Sequence, residues 1–215
     1  MRRHQKIQNG LPGVPFAEDL VFYAPLTEGD LADHVNNVTP FSSLGATWDS
    51  NKSAYMFSVP TGGQYCLRYN INNINNYLNG FTVAVDVLVQ SFTGTCDIVT
   101  FGYPTSKEED VNQAVAIMET HRFTGFTTMS WHRLVMTITR YNNGAIGQLY
   151  IDGNLVRTIS PSQSSFPKLR NTLWTGDVLD YITIGCSYYT YGYTAFFKNI
   201  MIFNRVLGAS EVAQL

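Results

Sequence analysis

Apolar residues recur at every second position along several stretches of this 215-residue chain, a period that belongs to strands and not to helices. In Phe81–Val89 the residues Phe81, Val83, Val85, Val87 and Val89 share one side, and Thr82, Ala84, Asp86 and Leu88 share the other. The first set is expected to form core between two sheets, because a half-buried strand sends one whole alternate set inward. Trp131–Arg140 alternates in the same way, with Leu134, Met136 and Ile138 on one side and Val135, Thr137 and Thr139 on the other. Phe81, Val83, Val85 and Val87 are expected to face inward opposite Leu134, Met136, Ile138 and the late strand Phe196–Phe203.

Gln148–Val156 reads as a strand that runs into Asp152-Gly153, a pair that tolerates positive φ in a tight hairpin, with a return strand from about Leu155. Further strands are expected at Leu20–Leu26, Tyr55–Val59, Gln64–Tyr69, Asp97–Phe101, Ala114–Glu119, Arg157–Ser160, Tyr181–Gly185 and Ala195–Phe203. After the last strand, Gly208 stands at an N-cap position with Glu211 three residues later, the spacing of a capping box without the cap hydroxyl, so a short helical turn should close the chain. Asn70–Gly80 carries six Asn and is expected to loop. Residues 1–18 read as a polar Pro/Gly linker, with two Gly-x-Pro triplets at Gly10–Pro15 that are too few for a collagen helix. Residues 19–215 read as one domain, a size that an all-β sandwich reaches undivided.

Three segments in this order resemble a known family. They are Trp131-His132-Arg133, then Leu149-Tyr150-Ile151-Asp152-Gly153, then Phe203-Asn204-Arg205-Val206-Leu207 followed by Ser210-Glu211-Val212. With an opening strand like Leu20–Leu26 and a Phe-Thr-Val strand at Phe81, they resemble the laminin-G-like domain of the concanavalin A-like lectin/glucanase superfamily from about Asp19 to Leu215. The resemblance implies an all-β, two-sheet antiparallel jelly-roll sandwich with a short C-terminal helical turn. It implies ligand binding at loops of one rim or on the concave sheet, often with calcium, and a structural role for His132. Fold does not fix function.

Composition narrows the partners. Charged residues are 14% of the chain and aromatics 13%, with 13 Tyr and 13 Phe, and the net charge is -2. That balance gives no basic field for phosphates, which argues against nucleic acid and suits polar, uncharged ligands. No run is long enough to insert in a membrane, and the N-terminus lacks a signal peptide's apolar stretch. Cys66, Cys96 and Cys186 are widely spaced, which leaves buried free thiols or a single disulfide open.

A retaining glycosidase needs two carboxylates about 5–5.5 Å apart, and no strand carries such a pair. The acidic cluster Glu108-Glu109-Asp110 reads as a solvated loop, and the other acids stand singly. There is no Gly-x-Ser-x-Gly elbow, and His4, His34, His121 and His132 lack metal-ligand spacing. No catalytic residue is expected, and a glycoside hydrolase is the least favoured reading.

Binding chemistry has better candidates. Tyr188, Tyr189, Tyr191 and Tyr193 fall between two expected strands, with Gly185 and Gly192 bracketing Tyr188–Tyr191, and Trp174 lies in the preceding loop. Such rings either form a platform for sugar C–H faces or cap the end of the sandwich. No cofactor is firmly indicated. Calcium is the candidate, with Asp177, Asp180 and Asp97 as oxygen ligands, although Asp177 and Asp180 serve equally well as turn formers. The favoured expectation is a non-catalytic carbohydrate- or glycoconjugate-binding module of a bacterial or phage protein. Its partner would be a carbohydrate or glycoprotein. The alternative is a structural or assembly module, such as a phage fibre domain, that forms homo-oligomers or attaches to a larger fibrous or multimodular protein. That alternative would sit on a virion or cell surface; a free-standing protein would be cytoplasmic.

Overall fold

The computed structural model describes residues 11, 13–59, 66–71, 80–92, 97–102, 113–118, 125–141, 144–159, 168–169, 181–185 and 193–215. Its elements are nearly all strands. They are β1 (Leu20–Ala24), β2 (Ser42–Leu44), β3 (Ala46–Asp49), β4 (Ala54–Val59), β5 (Cys66–Asn70), β6 (Gly80–Phe92) and β7 (Asp97–Gly102). The remainder are β8 (Gln113–Met118), β9 (Trp131–Tyr141), β10 (Gly144–Ile151), β11 (Asn154–Ile159), β12 (Lys168–Leu169), β13 (Tyr181–Ile184), β14 (Tyr193–Phe203) and one helical turn, α1 (Ala209–Val212).

Two antiparallel sheets stack into a sandwich. The larger has the order β11-β10-β9-β6-β14-β4-β3, with β1 also paired to β14; the smaller has the order β12-β8-β7-β13-β5-β2. The core between them holds Phe81, Val83, Val85, Val87, Leu134, Met136 and Ile138 from the large sheet and Leu67, Tyr69, Ile98, Val99, Ile182 and Ile184 from the small one. The inward faces of β6 and β9 therefore fall where alternation puts them, with one correction. Val83 pairs with Met136 and Val85 with Leu134, so these residues are neighbours in one sheet and not partners across the interior.

The outer face of the large sheet is buried too. Ala84, Val135, Tyr150, Met201 and Phe203 form a second cluster closed by Leu207 and Val212 of the C-terminal turn. Leu11, Val14, Phe16 and Ala17, within the stretch expected as linker, pack on the same cluster. Both faces of β6 are covered, which explains why its outward set includes Ala84 and Leu88.

Local signals agree with the backbone. Asp152 (φ 50°) and Gly153 (φ 77°) both take positive φ in the β10–β11 hairpin. At α1 the Glu211 carboxylate accepts the Gly208 N–H at 2.8 Å, so the N3 half of the capping box forms even though the glycine has no side chain to return the bond. Near the end of β14 the register shifts between Lys198 and Met201, and Asn199 takes φ 52°. Before this bulge β14 pairs with β4, and after it with β1. One strand thus serves two neighbours, and the extra residue re-aims the side chains around it.

Candidate ligand-binding site

Of the side chains expected to bind ligand, Tyr193 is the one the structure describes, and it is buried at the start of β14 among the core residues. A Cβ on Gly185 would lie 3.1 Å from the Tyr193 hydroxyl, so this ring packs on the base of the loop and takes no part in an exposed platform. Tyr188, Tyr189, Tyr191, Trp174, Asp177 and Asp180 lie outside the described residues. So do Glu108–Asp110, Cys96, Cys186, His4 and His121. Asp97 opens β7 and Cys66 opens β5. Among the described residues no group of three His, Cys, Asp or Glu side chains is placed to hold a metal ion.

The structure does bring together a pocket on the outer face of the large sheet. It has a volume of about 330 Å³ and is lined by Asp86, Trp131, His132, Arg133, Asp152, Gly153, Lys198, Val212, Ala213 and Leu215. Strand register explains the gathering. Asp86 of β6 pairs with Arg133 of β9 on one side and Lys198 of β14 on the other. Two residues along, Leu88 pairs with Trp131 and Phe196. These two rows point outward beyond the edge of the C-terminal turn, which covers the next row and supplies the far wall.

Its charges are arranged in pairs. Arg133 grips Asp86 with two hydrogen bonds, Nε to Oδ1 at 2.5 Å and Nη2 to Oδ2 at 2.7 Å. The bulge residue Asn199 donates a third, Nδ2 to Asp86 Oδ2 at 2.7 Å. A mostly buried carboxylate needs this full set of donors. Burial, with the Asp86 charge second, raises the Tyr23 phenol above its ordinary value. Tyr23 reaches the same network through Asn199 Oδ1, at 3.4 Å.

His132 has a structural role within this wall. The Thr127 N–H donates to its Nε2 at 3.0 Å, and its Nδ1 lies 2.7 Å from Asp152 Oδ2. Nε2 also lies 3.1 Å from the Thr127 carbonyl oxygen, so both ring nitrogens are engaged. Asp152 also accepts the Arg133 N–H at 2.8 Å through Oδ1. His132 thus ties the hairpin turn to the segment before β9. Lys198 is different. Its ammonium lies 4.2 Å from the centre of the Trp131 ring, and no hydrogen bond or ion pair joins it to another described residue. Trp131 also packs against the cluster of Ala54, Leu88 and Phe196.

Several carboxylates elsewhere among the described residues are committed to structure. Asp33 accepts from the backbone N–H groups of Tyr23, Val35 and Asn36. Asp30 bonds Ala32 N and His34, and Arg205 joins Asp19 to Glu211. The pocket itself was not visible in the sequence, because Asp86, Arg133 and Lys198 are scattered along the chain and only their register unites them. The signal that existed was Asp86, a charge on an otherwise apolar strand.

No family model matches this chain, and no curated protein sequence does. Solved structures do match in fold. The binding domain of botulinum neurotoxin DC in complex with rat synaptotagmin II superimposes with a TM-score of 0.64 at 12% identity, over 92% of this chain and 51% of that one. The ligand-binding domain of botulinum neurotoxin serotype D in complex with N-acetylneuraminic acid gives 0.60 at 14% identity, over 91% of this chain and 50% of that one. Trypanosoma rangeli sialidase gives 0.59 at 17% identity, over 95% of this chain and 34% of that one. The chain thus spans about half the length of the toxin binding domains and a third of the sialidase. What it shares with them is the two-sheet β-sandwich, closed here by a short C-terminal helix.

Proposed function

We propose that this domain is a non-catalytic carbohydrate- or glycoconjugate-binding module, laminin-G-like within the concanavalin A-like superfamily, and part of a bacterial or phage protein. The observation that carries the reading is the fold match to a toxin ligand-binding domain in complex with N-acetylneuraminic acid, over nearly all of this chain. The order of the Trp131, Leu149–Gly153 and Phe203–Leu207 segments supports the finer family assignment. A non-catalytic role is supported by Asp86, Asp152 and Asp33, whose carboxylates are held in ion pairs and turns.

The ring-rich stretch Tyr188, Tyr189 and Tyr191, with Trp174, is the proposed sugar platform. Tyr and Trp lose little side-chain entropy on binding and offer broad apolar faces with a polar edge. Asp97, Asp177 and Asp180 are the proposed carboxylates should calcium take part. The test replaces Tyr189 and Tyr191 together by Ala. Glycan affinity should fall at least about tenfold, equal to about 1.4 kcal/mol, with an unchanged melting temperature. A melting temperature several degrees lower would mean that the rings cap the sandwich, and the platform assignment would fail.

A further inference from the structure

We propose that the pocket between Trp131, Lys198 and the Asp152-Gly153 turn is a subsite that takes the carboxylate of an acidic sugar. The charges in the pocket are unevenly matched. Asp86 is saturated by Arg133 and Asn199, and Asp152 is bonded by His132 and the Arg133 N–H. Among the described residues Lys198 has only the Trp131 ring. An ammonium held over an aromatic face is fixed in place and partly desolvated, yet it keeps donors for an anion. Among the described residues no ion pair neutralises Lys198, which therefore supplies a positive group to the pocket.

The surroundings fit a sugar better than a bare anion. Asp152 leaves its carboxylate 47% exposed at the pocket wall and can accept hydroxyl hydrogens. The Arg133 guanidinium, with 24% of its side chain exposed, can donate to ring or hydroxyl oxygens without releasing Asp86. Val212 and Ala213 form an apolar wall for C–H groups. A volume of about 330 Å³ has room for one monosaccharide and sits at the small end of ligand sites. With Lys198 over its ring and its side chain packed on the sheet cluster, Trp131 serves the pocket through the ammonium and not as a stacking platform. Its role is to hold the ammonium. Uronic and sialic acids share this carboxylate chemistry, so both belong in the test.

The inference rests on the glycan-binding reading, and one experiment separates the two. The chain has three Trp. Their indole N–H signals, assigned by single Trp→Phe variants, report three places: Trp48 at the core edge, Trp131 at the pocket and Trp174 in the proposed platform. Glucuronic acid, N-acetylneuraminic acid, N-acetylglucosamine and sodium acetate are titrated separately. Both acidic sugars should shift the Trp131 signal saturably, and N-acetylglucosamine and acetate should leave it in place. Lys198→Met, which keeps the aliphatic stem, should weaken the acidic sugars about tenfold or more, and Lys198→Arg should retain what Lys198→Met loses. Acidic sugars that move Trp174 alone, or that bind Lys198→Met as well as wild type, overturn the subsite and leave the glycan reading standing. An acetate response equal to that of the sugars reduces the pocket to a simple anion site and overturns it too. If no sugar moves any signal, both readings fall.

Discussion

Glu211 shows how far a single side chain reaches in this domain. Its carboxylate caps α1 through the Gly208 N–H and takes two hydrogen bonds, each 2.8 Å, from Arg205, which also bonds Asp19 ahead of β1. The Arg205 guanidinium, and then the Gly208 N–H, hold its pKa down to about 2 from an ordinary 4.5. A carboxyl whose pKa is depressed on folding adds stability that is complete above its unfolded value and lost as pH falls through its folded value. Glu211→Gln should therefore melt below wild type at pH 6, and the gap should close between about pH 4.5 and pH 2. A gap that persists at pH 2 would assign the effect to shape and not to charge. The Asp86–Arg133 pair is the other residue-scale test. Asp86→Asn and Arg133→Met should each cost about 1–3 kcal/mol, and a double-mutant cycle by chemical denaturation should show that the two losses overlap. Additive losses would mean that the two side chains act independently. Glu211's capping role was legible, because N-cap and N3 are local in sequence. The grip on Asp86 was not, since hydrogen bonding across 47 residues depends on a register that alternation does not reveal.

At the scale of elements, β6 organises the large sheet, and its first residue shows why glycine is needed there. Gly80 has φ 121°, and a Cβ at this position would come within 1.9 Å of the Ile138 carbonyl oxygen. Gly80→Ala should destabilise the fold by at least about 2 kcal/mol, seen as a lower denaturation midpoint. Phe81, fully buried beside it, should cost about 3–5 kcal/mol when truncated to Ala. Strands such as β6, β9 and β10 were legible because they are long and alternate. β2, β3 and β12 were missed: Ser42–Leu44, Ala46–Asp49 and Lys168–Leu169 are too short to show a period. The bulge at Asn199 was equally hidden, since it exists to let β14 exchange β4 for β1. That exchange also turns Asn199 toward Asp86 and helps to build the pocket floor.

For the molecule as a whole, the sandwich was readable in the succession of strands, turn and closing helix, and the fold matches agree with it. The double burial of the large sheet was not readable. It arises where the C-terminal turn and the residues around Leu11–Ala17 lie over one outer face, a long-range arrangement that leaves no local pattern. The proposed ligand chemistry draws on two groups of residues, the Tyr188–Tyr191 stretch and the Lys198 pocket. A binding module of this kind should hold glycans without cutting them, so prolonged incubation with β-glucans, galactans and sialylated glycans should release no reducing ends. The central claim is tested most directly by binding the purified domain to a broad glycan array, with calcium and with a chelator. Saturable, competable binding to a defined glycan class in at least one condition is the result predicted. Binding to no glycan in either condition would contradict the account.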